Sequence, residues 1–127
     1  ITKPMTAVGM LIYEYTGSKR FDLDGLADFL LKELPAWGGK VDKFYYWYYG
    51  TLAMFQYGGD KWRKWNVALM TTLVDNQRKG GPLDGSLQDI DGSWDPVIHW
   101  NSYGRVYTTA MGAFCLEVYY RYESVMH

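Results

Sequence analysis

Residues Thr6-Ala7-Val8-Gly9-Met10-Leu11-Ile12-Tyr13-Glu14 and Thr109-Ala110-Met111-Gly112-Ala113-Phe114-Cys115-Leu116-Glu117 align without a gap. Thr, Ala, Gly and Glu are identical at four of the nine positions, and every other position is apolar in both. A further stretch, Gly50 to Gly59, matches the first in kind at a shift of 42 residues. There Gln56 takes the place of Glu14, and Tyr57…Gly59 answers Tyr15…Gly17. The next interval is 61 residues, and its extra length falls in a Gly/Pro-rich stretch. Small residues such as Ala7, Gly9, Ala53, Ala110 and Gly112 let helices approach closely. The same helix occurring three times predicts helical hairpins stacked side by side, as an open solenoid or a closed toroid.

The segments between the copies support that reading. Asp22 precedes Leu23, Leu26, Ala27, Leu30, Leu31 and Leu34, the pattern of an N-cap followed by an amphipathic helix. Pro35 is expected to end it, with a turn at Trp37-Gly38-Gly39. The run from Phe44 to Phe55 is apolar or aromatic on every side, so as a helix it must be surrounded by protein. Gly58-Gly59 breaks it, Asp60 is read as the cap of the next helix, and Trp62, Trp65, Leu69 and Leu73 fall at helical spacing. From Gln77 to Tyr103 the residues Gly80, Gly81, Pro82, Gly85, Gly92 and Pro96 break any long helix. A last helix is read from about Gly104 to Tyr122, and a first one over Pro4–Thr16, with Pro4 acceptable near its start. Five helices and no alternating period-2 segment make the expectation all-α, one domain over residues 1–127.

Composition bounds the function. The chain of 127 residues carries 12 Tyr, 6 Trp and 5 Phe, enough aromatic surface for a cavity wall or an interface as well as a core. Thirteen basic against fourteen acidic residues, without a strong cluster of either sign, argue against a nucleic-acid footprint. No apolar run approaches the roughly 20 residues of a membrane span. Cys115, the single cysteine, lies in an apolar run and reads as a buried, inert thiol. The chain begins with Ile1, which leads to the expectation of a C-terminal portion of something longer.

Chemistry-bearing residues are few. Asp89, Asp91 and Asp95 sit in the stretch Gln88-Asp89-Ile90-Asp91-Gly92-Ser93-Trp94-Asp95. Read as a calcium loop with Gly92 sixth, its first and twelfth positions are Leu87 and Ile98, which do not ligate; only a different loop using Asp84, Asp89, Asp91 and Asp95 is left. Cys115, His99 and His127 fit no zinc-ligand spacing. His99 has no serine in an elbow motif near it. No metal and no cofactor is expected. Glu14 and Glu117 recur at equivalent places, either facing a common interior or as ordinary helix-end polar residues.

The stretch Gln88-x-x-x-Gly92-x-Trp94, leading through a polar turn into a Thr-Thr-Ala helix, resembles the QW repeat of the squalene–hopene cyclase, oxidosqualene cyclase and protein prenyltransferase superfamily. The pattern departs from it upstream, where Arg78-Lys79-Gly80-Gly81-Pro82 stands in place of an aromatic-ended helix. The resemblance implies an α/α toroid of helical hairpins, of which 127 residues supply about half. It implies that Gln88, Asp91, Gly92 and Trp94 are scaffold. It also implies that the aromatic helix, through Phe44, Tyr45, Trp47, Tyr48 and Phe55, walls a site for an apolar, isoprenoid-like ligand. Neither Asp22-Leu23-Asp24-Gly25 nor Asp89-Ile90-Asp91-Gly92 completes the Asp-x-Asp-Asp acid motif of the cyclases. The expected function is therefore binding of an apolar ligand or a protein partner, without catalysis by this segment alone. The partner could be the rest of its own toroid or a second copy. The alternatives are a part of a terpene cyclase whose acid lies elsewhere, and a purely structural interaction module.

Overall fold

The computed structural model describes residues 2–38, 43–80, 91–96 and 104–121. They form five α-helices: α1 (Lys3–Thr16), α2 (Leu23–Leu31), α3 (Lys43–Tyr57), α4 (Gly59–Asn76) and α5 (Gly104–Arg121). No strand occurs among the described residues, and the protein is all-α.

Local chemistry sets the helix ends, in some places as the sequence suggests. Pro4 lies in the first turn of α1, where its missing N–H costs nothing. Gly17 ends α1 at φ 65°, in the left-handed region, and donates its N–H to the Tyr13 carbonyl. Phe21 then stacks on Tyr13 with centroids 4.0 Å apart, folding the chain back. Gly58 and Gly59 both have positive φ and make the sharp turn between α3 and α4.

One expected boundary holds and two are corrected. Asp22 occupies the N-cap position of α2, but its side chain makes no capping bond. Its carboxylate instead lies over Gly25, where an added Cβ would come within 2.6 Å of Oδ2. Asp60 is not the cap of α4. Gly58 holds that position, and Asp60, in the first turn, pairs with Arg63 at 3.0 Å. Finally, α2 stops at Leu31, before Pro35 is reached. The Tyr46 hydroxyl reaches in from α3 to the Leu30 and Glu33 carbonyls at 3.2 and 2.9 Å, so side-chain bonding replaces the continuing helix.

Contacts between helices give the topology. Tyr48 meets Phe114 and Phe55 meets Tyr119, so α3 and α5 run the same way. Gln56 donates to the Tyr15 hydroxyl, which brings the ends of α1 and α3 together. By contrast Lys3, at the start of α1, bonds the Phe29 carbonyl near the end of α2. Lys61, at the start of α4, pairs with Asp24 and Asp28 of α2 at 2.7 and 2.6 Å. The result is two layers: α1, α3 and α5 side by side, with α2 and α4 running the opposite way behind them. The core lies between the layers, where Met10, Leu30, Trp47, Met54, Trp65, Leu69 and Leu73 are sealed.

The repeat also acquires a register. A Cβ on Gly50 would overlap the Trp65 ring, and one on Gly112 would lie 2.8 Å from the Trp94 ring. Both glycines are seats for an indole. The three helices therefore correspond glycine to glycine, Gly9–Gly50–Gly112, at shifts of 41 and 62 residues. The shifts of 42 and 61 expected from sequence are off by one for α3. The shift of 103 between α1 and α5 is unchanged.

Candidate functional site

Helix α3 carries aromatic side chains all round, and its position between α1, α2, α4 and α5 decides which of them remain reachable. Phe44 and Trp47 are sealed: they pack on each other with centroids 5.1 Å apart, and Trp37 closes over both at 6.0 and 6.3 Å. These two expected ligand-wall residues are core. Tyr45, Tyr48 and Phe55 are partly exposed. The five residues therefore divide by what covers them: Phe44 shares its side of α3 with Tyr48 and Phe55, at i+4 and i+11, but lies in the first turn under Trp37.

On the open side the rings connect. Tyr49 lies 4.8 Å from Tyr45 and 5.2 Å from Tyr48, and Tyr48 continues to Phe114 of α5 at 6.2 Å. Nearer the other end of α3, Phe55 meets Trp62 at 5.4 Å and Tyr119 at 6.4 Å, and Tyr119 meets Tyr120 at 5.3 Å. In these edge-on and tilted pairs the edge of one ring meets the face of the next, and Tyr45, Phe114, Tyr119 and Tyr120 are exposed. Leu52, buried, lies one turn from both Tyr48 and Phe55 and joins the two groups. Sequence reading missed Tyr49, Trp62, Phe114, Tyr119 and Tyr120. The available signal was the aromatic ending of the last helix, Phe114 with Tyr119-Tyr120, set against the aromatic run of α3.

The loop before α5 is held at its base. Arg78 and residues 92–93 exchange backbone bonds, Arg78 N to Ser93 O and Gly92 N to Arg78 O, each 2.8 Å. The Asp91 carboxylate accepts from the Gly80 N–H at 2.8 Å. Asp95 takes both Arg78, at 2.6 Å, and Arg105, at 2.8 Å, and these cations hold its carboxyl below the usual range. Trp94 is buried on Gly112 and donates its indole N–H to the Leu73 carbonyl at 2.8 Å, near the end of α4. The Trp94 carbonyl in turn accepts from Thr108 at 2.7 Å. Asp91, Gly92 and Trp94 thus spend their polar groups on backbone and helix ends. Gln88 lies outside the described residues, as do Asp84 and Asp89.

Two titratable groups stand apart. Glu14 is buried, and neither of its carboxylate oxygens has a hydrogen-bond partner. Burial pushes its carboxyl from 4.5 up to about 8. Its repeat counterpart Glu117 faces water and pairs with Arg121 at 3.1 Å, so the two do not share an interior. The reason is position: α1 and α5 lie on opposite flanks of α3, and the side that points inward on one points outward on the other. The second group is Cys115, whose thiol burial pushes far above its ordinary value. Among the described residues no three His, Cys, Asp or Glu side chains gather as metal ligands, and no helix is long and apolar enough to cross a membrane.

Set against protein-family models, curated proteins and solved structures, the chain matches none of them. What the fold and site define is an all-α protein of two helix layers with an aromatic strip shared by α3 and α5.

Proposed function

We propose that this chain is a helical-hairpin segment of α/α-toroid type that binds an apolar, isoprenoid-like ligand and is not catalytic by itself. The supporting observation is the aromatic strip: Tyr45, Tyr48 and Phe55 of the expected wall stay reachable and are extended by Phe114 and Tyr119. Rings set edge to face present an apolar surface with hydroxyls at its margin, which suits a chain ligand with one polar end.

The test is a titration with prenyl alcohols of increasing length, followed by tryptophan emission and by ring-proton shifts. Trp62, packed on Phe55, is the reporter. Binding should strengthen with chain length, and Phe55→Ala should weaken it roughly tenfold, the equivalent of about 1.4 kcal/mol for one lost ring contact. Unchanged emission together with unchanged shifts of Tyr48 and Phe55 at saturating ligand would sink the ligand reading. Shifts on this strip with a protein partner alone would replace it by the partner reading.

A further inference from the structure

The repeat places a docking face on α1. On α5, which packs on α3, the residues Thr108, Gly112, Cys115 and Val118 are buried, with Trp94 lying over Gly112. Their glycine-register counterparts on α3 are Tyr46, Gly50, Ala53 and Gln56, again all buried. Tyr46 bonds the end of α2, and Gln56 bonds Tyr15 of α1. The counterparts on α1, at a shift of 103, are Met5, Gly9, Ile12 and Tyr15. Here the same face is open apart from the Tyr15 hydroxyl, which Gln56 of α3 holds. Met5 is 59%, Ile12 54% and Tyr15 52% exposed, and a Cβ on Gly9 would meet nothing within 4 Å.

The opposite face shows the complement. On α1, Thr6, Ala7, Met10 and Glu14 are buried. Their counterparts on α5 are Thr109, Ala110, Ala113 and Glu117, none of them buried, flanked by Val106 and Tyr120 at 85% and 87% exposure. One flank of the array therefore ends in a face that, elsewhere in the chain, receives a copy of this helix. The other flank ends in a face that elsewhere is presented to the next copy.

We infer that the α1 face formed by Met5, Gly9, Ile12 and Tyr15 is the docking site for α5 of a second copy of this chain. The occupant follows from the order inside the chain: α1 packs on α3 and α3 on α5, the face that is open on α1 is buried on both α3 and α5, and α5 on α1 of another copy continues that order. Ala110 and Ala113 opposite Gly9 allow close approach, and Glu117 brings its own partner, Arg121. Because the two faces differ, the contact is head-to-tail. Such a contact does not stop at two chains unless a ring closes.

Sedimentation equilibrium of the 127-residue chain, from about 1 to 100 μM, reads the association. The mass should rise with concentration from the 14.7 kDa of one chain past that of two. Gly9→Trp blocks the α1 face from a position where an added Cβ meets nothing within 4 Å. Ala113→Arg blocks the α5 face. Circular dichroism checks that both variants are folded. Each alone should remain a single chain, whereas an equimolar mixture has one intact face of each kind and should form pairs and nothing larger. A wild-type mass of one chain throughout the range overturns the inference. So does self-association of Ala113→Arg alone, which would mean that α1 meets α1, and so does a mixture that stays monomeric.

Discussion

Replacing Glu14 by Gln tests whether the buried carboxyl is a stored cost. The carboxyl is lifted from 4.5 to about 8 in the folded chain, so the folded state holds a proton that the unfolded state has released. The Glu14 contribution to stability is then greatest below about pH 4.5, falls as the pH rises toward 8, and levels off above it. At about 1.4 kcal/mol per pH unit, that interval sets a ceiling of about 5 kcal/mol. Glu14 lies in the last turn of α1 beside exposed Tyr15 and Thr16, so relaxation and water entry reduce the loss to about 2 kcal/mol. The glutamine amide fills the same volume and stays neutral. Urea unfolding followed by tryptophan emission at pH 5, 7 and 8.5 measures the difference. Wild type should lose about 2 kcal/mol from pH 5 to 8.5, and Glu14→Gln should show little slope over the same range. The window avoids Asp24 and Asp95, whose depressed carboxyls lose their stabilising effect only as the pH falls through the acid range. Parallel pH profiles for the two proteins would refute the reasoning.

Gly112→Ala should cost about 1–3 kcal/mol, because its Cβ would press on the Trp94 ring at 2.8 Å, whereas Gly9→Ala should leave thermal stability unchanged or raise it. Equal effects at the two sites would remove the indole-seat account. Trp94→Phe keeps most of the packing but strands the Leu73 carbonyl, and a loss of about 1–2 kcal/mol in urea unfolding is expected. Asp95→Asn removes the shared partner of Arg78 and Arg105; its modest loss of stability should shrink in high salt, and salt-independent loss would point to packing instead. Cys115 should react with a thiol reagent no faster than the chain unfolds, as judged by release of a coloured leaving group with and without urea.

The helices were legible because their punctuation is strong. Pro4, Gly17 and the Gly58-Gly59 pair act through backbone conformation, which a sequence shows directly. Asp22 marked the start of α2 correctly, whereas Asp60 misled because a carboxylate near a helix start has several partners open to it, and here Arg63 wins. The early end of α2 depends on Tyr46, which lies 16 residues beyond Leu30 on a helix of the other layer and leaves no trace in the local pattern. The aromatic site was half legible. A helix apolar on every side has no periodicity to tell Phe44 and Trp47 from Tyr45, Tyr48 and Phe55, and only its neighbours make the distinction. The one-residue error in the repeat arose from matching Gln56 to Glu14. The glycines carry the geometry, since an indole needs a missing Cβ more than a helix end needs a particular polar group.

The central place of α3 has a consequence for how the molecule comes apart. It touches all four other helices, whereas α1 and α5 each keep a flank open to water. Opening either flank costs only part of the core, but no partial opening frees α3 itself. Its backbone amides should therefore exchange with deuterium only through complete unfolding, and their exchange rates would report the stability of the whole chain from a single helix.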